Sequence, residues 1–287
     1  MKNKKIINAL VFFIIPLVLL TAGLGMKPDR GLPDHYQHQS IRGQEVTIYG
    51  KGIYQQMSAK IGPQNIAQDY ATFLVAVPFL AVALFLANQG SFKGKILLAG
   101  ALGYFLTTYL FYLTAVMYNP LFLAYIFLLS ASFFALVLVL FSFNFNGLPK
   151  NFSPQTPSKL TGVFLIIIAL VLGGIWLRTI FPPLVGGSVF PPQLAHYTTL
   201  TIEGLGLALI LPLTILVGWL LIKQQPLGFL LGSICAIFLS LITLALAARF
   251  VVLGLLYYNV LLSIFVSLIL FVLALFSSVL LLKNVKE

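Results

Sequence analysis

Eight apolar stretches of about 17 to 25 residues recur along this 287-residue chain, each long enough to cross a hydrocarbon layer about 30 Å thick as a helix. They lie near Ile6–Ala22, Tyr70–Ala87, Ile96–Val116, Leu121–Phe143, Leu160–Phe181, Thr199–Leu221, Leu227–Ala247 and Tyr257–Leu282. Charged residues make up 8% of the chain, against roughly 25% in a soluble domain, so there is no room for a separate soluble unit. The alternating ten-residue pattern of a membrane barrel is absent. The expected fold is an all-α integral membrane protein of about eight transmembrane helices.

Three parts are expected. Residues 1–22 read as an N-terminal signal anchor, residues 23–68 as a loop forming a small extracytoplasmic cap, and residues 69–287 as a seven-helix bundle. The first stretch follows Lys2, Lys4 and Lys5 but continues for about 20 apolar residues without a small-x-small cleavage site, which favours a retained anchor. Within the cap, Glu45 to Gln55 reads as a short β-hairpin turning at Gly50-Lys51-Gly52, and Pro63 opens a helix that leads into the second span.

The lysines set an orientation. With the N-terminus in the cytoplasm, Lys93, Lys95, Lys150, Lys159, Lys223, Lys283 and Lys286 join the N-terminal lysines on that side. The opposite side holds Lys27, Arg30, Arg42, Lys51 and Lys60 in one long loop, with Arg178 and Arg249 at helix ends. This positive-inside pattern predicts a multi-pass protein of the plasma (inner) membrane with both termini cytoplasmic. The net charge of +11 is dispersed over loops and ends rather than gathered in a patch, so no nucleic-acid partner is expected. Cys235 is the only cysteine, which excludes an intramolecular disulfide and fits a small buried apolar residue.

Two acids stand inside this apolar background. Asp69 lies nine residues before Pro78, and Glu203 nine before Pro212. An ionised carboxylate in hydrocarbon costs roughly 3 kcal/mol on insertion scales, so it persists where it is paired, hydrated or used. The repeated spacing, with Tyr118-Asn119 and Tyr258-Asn259 later in each half, reads as two four-helix halves in a parallel repeat. The competing reading is chance self-alignment of a sequence rich in Leu, Phe, Val and Ala.

At the cap side, Asp69, Glu203, Arg178 and Arg249 are brought to one depth, with His196 and Thr199 on the face of Glu203, and Tyr104, Thr108 and Tyr112 in a stripe rising towards Tyr118-Asn119. One reading is an outward pocket in which the acids face the arginines, supported by Tyr104, Tyr118, Asn119 and His196. The other is a set of helix–helix braces and snorkelling side chains. Asp34, His35 and His38 sit close in sequence, but a zinc site needs three or four fixed ligands. No metal, no cofactor motif and no hydrolase or phosphate-binding signature is legible.

Ile66-Ala67-Gln68-Asp69, Leu102-Gly103-Tyr104-Phe105, Tyr118-Asn119-Pro120-Leu121-Phe122 and Tyr197-Thr198-Thr199-Leu200 resemble stretches of a group of uncharacterised prokaryotic multi-pass membrane proteins. The resemblance covers most of the chain after the first span and implies the fold class alone. The functional expectation is a permease-type protein set in the lipid bilayer, binding or passing a small polar solute or lipid headgroup. The alternatives are a non-catalytic subunit or assembly factor that docks a membrane protein partner, and an intramembrane enzyme acting on a lipid-linked substrate.

Overall fold

The computed structural model describes residues 3–27, 35–153, 155–187 and 190–287. Lys2, Arg30 and Asp34, singled out above, lie outside the described residues. Among the described residues, eight helices are long and apolar enough to span a membrane: α1 (Lys4–Met26), α2 (Gly62–Asn88), α3 (Phe92–Ala115), α4 (Phe122–Leu140), α5 (Ser158–Gly186), α6 (Thr201–Ile222), α7 (Pro226–Leu255) and α8 (Leu261–Lys283). The chain is an all-α, multi-pass membrane protein.

Several helices outrun their apolar stretches. Helix α2 starts eight residues before Tyr70, because Pro63 supplies a pre-set first turn and the polar residues that follow it are buried. Helix α5 runs through Pro182 and Pro183. Helix α7 continues six residues past Arg249, which therefore lies within the helix and does not close it.

Helices α1 to α4 pack in a closed ring of neighbours, and α5 to α8 pack in a second ring of the same order. One apolar core fills the first half and extends to Leu230, Ile237, Leu241 and Ala245 of α7; a second lies wholly within α5 to α8. The halves meet along α3 and α7, where Gly100 lets α3 approach Ile237 and the carbonyl of Ile234. Residue 234 is the counterpart of residue 100 at an offset of 134, so equivalent positions face each other there. Helix α7 also packs along α2, whereas α6 meets α3 only at its first turns.

The offset of 134 recurs in backbone detail. A π-turn at Thr72–Ala76 precedes Pro78, and a π-turn at Gly206–Ile210 precedes Pro212. Proline lacks an N–H and presses on the preceding turn, and the extra residue of a π-turn makes room for it. The α2–α3 turn passes through Gly90 at φ +93° and the α6–α7 turn through Gln224 at φ +53°. Ser91 N donates to Leu86 O at 3.3 Å, and Gln225 N to Leu220 O at 3.0 Å. A Cβ on Gly94 would fall 2.5 Å from Ala87 N, and one on Gly228 would fall 2.6 Å from Leu220 C. Both glycines are thus required by the same helix-against-helix contact.

The cap is a two-stranded antiparallel sheet, β1 (Tyr36–Gln39) with β2 (Glu45–Ile48), in which Tyr36 faces Ile48 and Gln39 faces Glu45. The first strand therefore precedes Glu45, and the tight turn is at residues 40–44, where Gly43 takes φ +77°. Gly50-Lys51-Gly52 turns the chain as expected but closes a wider loop. Tyr49 N donates to Met57 O at 2.8 Å, and Ile48 forms a single bridge to Ser58. Val46, Ile48, Tyr54 and Met57 are buried beneath the cap.

On the opposite side, the Glu287 carboxylate accepts hydrogen bonds from Ser91 Oγ and Phe92 N, both at 2.9 Å, at the start of α3. Residues 284–286 pair with the α4–α5 connection through Ser153 N to Asn284 O and Lys286 N to Asn151 O. That face is closed by main-chain bonds; the cap face is where space remains.

Candidate functional site

Asp69 and Glu203 hold equivalent places in the two halves but have different surroundings. Asp69 is 3% exposed. Its Oδ2 accepts a 2.6 Å hydrogen bond from Tyr54 Oη of the cap, and its Oδ1 accepts one of 2.9 Å from Tyr112 Oη of α3. Gly25 of α1 lies so close that a Cβ there would collide with the Asp69 carboxylate. Next to it, Gln68 Nε2 donates to Tyr104 Oη at 2.9 Å, and Tyr104 and Thr72 share a 2.7 Å bond. Hydrogen bonds to both oxygens are what make a buried carboxyl group tolerable.

In the second half the position equivalent to Tyr112 is Leu246, and the cap has no second tyrosine to offer. Glu203 is consequently half-buried with no hydrogen-bond or ion-pair partner among the described residues. It lines a chamber of about 350 Å³ between α3, α6 and the α5–α6 connection. Arg249, Asn65, Tyr112, Tyr118 and His196 line it as well. A narrower slot of about 90 Å³ continues from it between α3, α5, α6 and α7, sharing Phe111, Tyr112, Ile202 and Arg249 with the chamber. The slot is otherwise lined mainly by Leu172, Trp176, Leu211, Leu239 and Leu246.

Arg249 sits where the two spaces join. Its Nε is buried and makes no hydrogen bond, and no ion pair joins it to Glu203, although the opposite charges attract each other across the chamber. Asn65 is 4% exposed, and its Nδ2 also lacks a partner. Two residues with an unsatisfied buried donor therefore line one cavity; nine other buried side-chain atoms among the described residues also lack a partner.

The cap roofs this chamber. Arg42 donates through Nη1 to Tyr197 O at 2.9 Å and through Nη2 to Thr198 O at 3.2 Å. Ser58 N donates to Tyr197 Oη at 3.0 Å, and His196 Nε2 lies 3.0 Å from Gln56 O. Burial lowers the His196 pKa from its ordinary 6.5; the Gln56 bond opposes this and neighbouring His38 adds to it. The ring is therefore neutral at pH 7, Nε2 donates to Gln56, and the buried Nδ1 is left as an acceptor without a partner.

The expected site residues thus divide. Glu203, Arg249, His196 and Tyr118 share the chamber. Asp69 and Tyr104 form the hydrogen-bonded wall behind it. Asn119 is buried and engaged locally, accepting from Leu121 N at 2.9 Å and donating to Met117 O at 3.1 Å, which caps α4. Arg178 is exposed on α5 and does not line the chamber or the slot. Asn65 and Tyr54 were not in the expected set. Among the described residues no three of His, Cys, Asp and Glu are grouped to hold a metal ion. Compared with models of protein families, with curated proteins and with solved structures, the chain matches none of them.

Proposed function

We propose that the protein receives a small polar solute or a lipid headgroup in the chamber beneath its cap, acting as a permease-type binding protein of the plasma membrane. The positive-inside distribution of lysines supports cytoplasmic termini and a cap outside, and with them an outward-opening chamber. One observation carries the reading: Arg249 and Glu203 border the same cavity without direct partners. Charges kept as a brace are expected to be in contact, because an unpaired charge away from water is costly. Charges kept for a ligand are left open for it.

The test is the unfolding temperature of detergent-purified protein, screened against small anionic, zwitterionic and headgroup-like compounds, for wild type and Glu203→Gln. A ligand that binds only the folded state raises apparent stability with the logarithm of its concentration over Kd. A shift in wild type that disappears in Glu203→Gln supports the reading, and the absence of any shift across the screen contradicts it. A docking role for the cap draws on a separate observation, Ile41, which is 89% exposed at the turn of the hairpin. Ile41→Asp would abolish co-purification of a partner under that role and leave ligand binding intact under the first.

A further inference from the structure

The two joined spaces differ in chemistry in a way that specifies a ligand. The chamber is the more polar of the two and holds both signs of charge. On one side are Arg249 and Asn65, which line it and each carry a buried nitrogen without an acceptor among the described residues, Nε and Nδ2. Also bordering it are the Glu203 carboxylate and His196, whose Nδ1 is an acceptor with no donor. An anionic group answers the first pair, since a guanidinium and an amide N–H both recognise phosphate or carboxylate oxygens. An ammonium answers the second. A head bearing only an anion would leave Glu203 facing it at close quarters, which disfavours that head.

The slot beyond Arg249 is almost wholly apolar and leads towards Trp176, whose ring packs against Gly206 at the π-turn of α6. A small polar solute has no use for it, and water has few partners in it. A hydrocarbon chain suits its mainly apolar lining. The groove between α2 and α7, which at the offset of 134 corresponds to the α3–α6 side of the chamber, is lined by Ala67, Leu74, Ala248 and Val252 and by no charged residue. Only one of the two grooves therefore combines a charged mouth with an apolar interior.

We infer that the chamber and slot together bind an amphiphile with a zwitterionic head, its anionic group at Arg249 and Asn65, its ammonium at Glu203, and its chain in the slot beside Trp176. This rests on the chamber being a binding site, as proposed above, and adds the ligand class.

Trp176 provides the readout, because Trp219 is the only other tryptophan and lies far along the bundle, near Lys223. In a Trp219→Phe background, in non-ionic detergent, Trp176 fluorescence is titrated with a lysophosphatidylethanolamine carrying a brominated chain, with the matching lysophosphatidic acid, and with glycerophosphoethanolamine as the head alone. Bromine quenches an adjacent indole. The expected result is saturable quenching by the zwitterionic probe, at least tenfold weaker binding of both lipids in Arg249→Gln, and at least tenfold weaker binding of the zwitterionic probe alone in Glu203→Gln. Leu246→Phe, which narrows the slot, should weaken the chain-bearing probes and spare the head alone. Late exposure of Cys235 to a thiol-reactive dye on heating confirms that each variant is folded. Linear, unsaturable quenching that is identical in all variants overturns the inference. If the head alone competes as strongly as the lipid, the chain is refuted and the pocket stands. If no probe binds, both are refuted.

Discussion

Asp69 and Glu203 occupy the same position in the two halves, three residues before a π-turn and nine before a proline, yet only Asp69 is hydrogen-bonded. The difference traces to one substitution within the repeat, Tyr112 in α3 against Leu246 in α7, and to Tyr54, which the cap supplies on one side only. One acid fastens the cap to the bundle; its counterpart is left facing open space.

That asymmetry gives opposite stability predictions. Asp69→Asn places an amide donor opposite a tyrosine hydroxyl at a buried site; a hydrogen bond contributes about 0.5–1.5 kcal/mol, and a buried group left unsatisfied costs about 1–3 kcal/mol. A loss of about 1–3 kcal/mol is expected, with the cap loosened. Glu203→Gln removes no bond and should change ligand-free stability by no more than about 0.5 kcal/mol. Thermal unfolding of the two variants side by side checks this, and equal losses would contradict it.

Gly94 and Gly228 should behave as a pair. Each faces the backbone of the preceding helix so closely that a methyl group must push the helices apart, and overpacking of this kind costs about 1–3 kcal/mol. Gly94→Ala and Gly228→Ala are both expected to lower the unfolding temperature, whereas Gly174→Ala, at a position with open space around it, should not.

The hold of the α5–α6 connection on the cap should depend on pH. His196 is neutral in the folded protein with its pKa below the ordinary 6.5, so the unfolded or undocked chain takes up the proton first. Docking is then at full strength above about pH 6.5 and weakens as pH falls from there towards the lowered folded value. Protection of the amides around Gln56 against hydrogen exchange, taken relative to their intrinsic rate at each pH, should fall over this range in wild type. The fall should be absent in His196→Gln.

Arg42 is the other strap on the roof. Arg42→Ala removes both bonds to the Tyr197 and Thr198 carbonyls and leaves the bundle core untouched. Faster release of a chamber ligand with an unchanged unfolding temperature is the expected outcome, measured by dissociation kinetics.

The sequence made the spans legible because an apolar run of about twenty residues has no other stable use in a chain this poor in charge. The Asp69–Pro78 and Glu203–Pro212 spacing marked a repeat whose turns and glycine contacts the structure also carries at the same offset. Side-chain pairing was not legible. Asp69 finds Tyr54 in the cap and Tyr112 one helix away, and neither distance in sequence reveals those contacts. The hairpin register was misplaced because β1 is the polar segment Tyr36-Gln37-His38-Gln39, with no strand-like alternation to mark it. Arg178 and Arg249 looked alike as cations near span ends, and only the extension of α7 past Arg249 and the packing of α3 against α6 set one at a cavity and the other at the surface. Carrying the 134-residue alignment as far as Leu246 was the one available sign that Glu203 would lack a partner.

The most direct test of the central claim is the stability of the ligand-free protein with Arg249 replaced by glutamine. If Arg249 is held open for a ligand, removing an unpaired, partly buried charge leaves the unfolding temperature unchanged or raises it. If it is a brace, the same change exposes a lost interaction and lowers stability by about 3 kcal/mol or more, as breaking a buried ion pair does. The account predicts the first result; the second would contradict it.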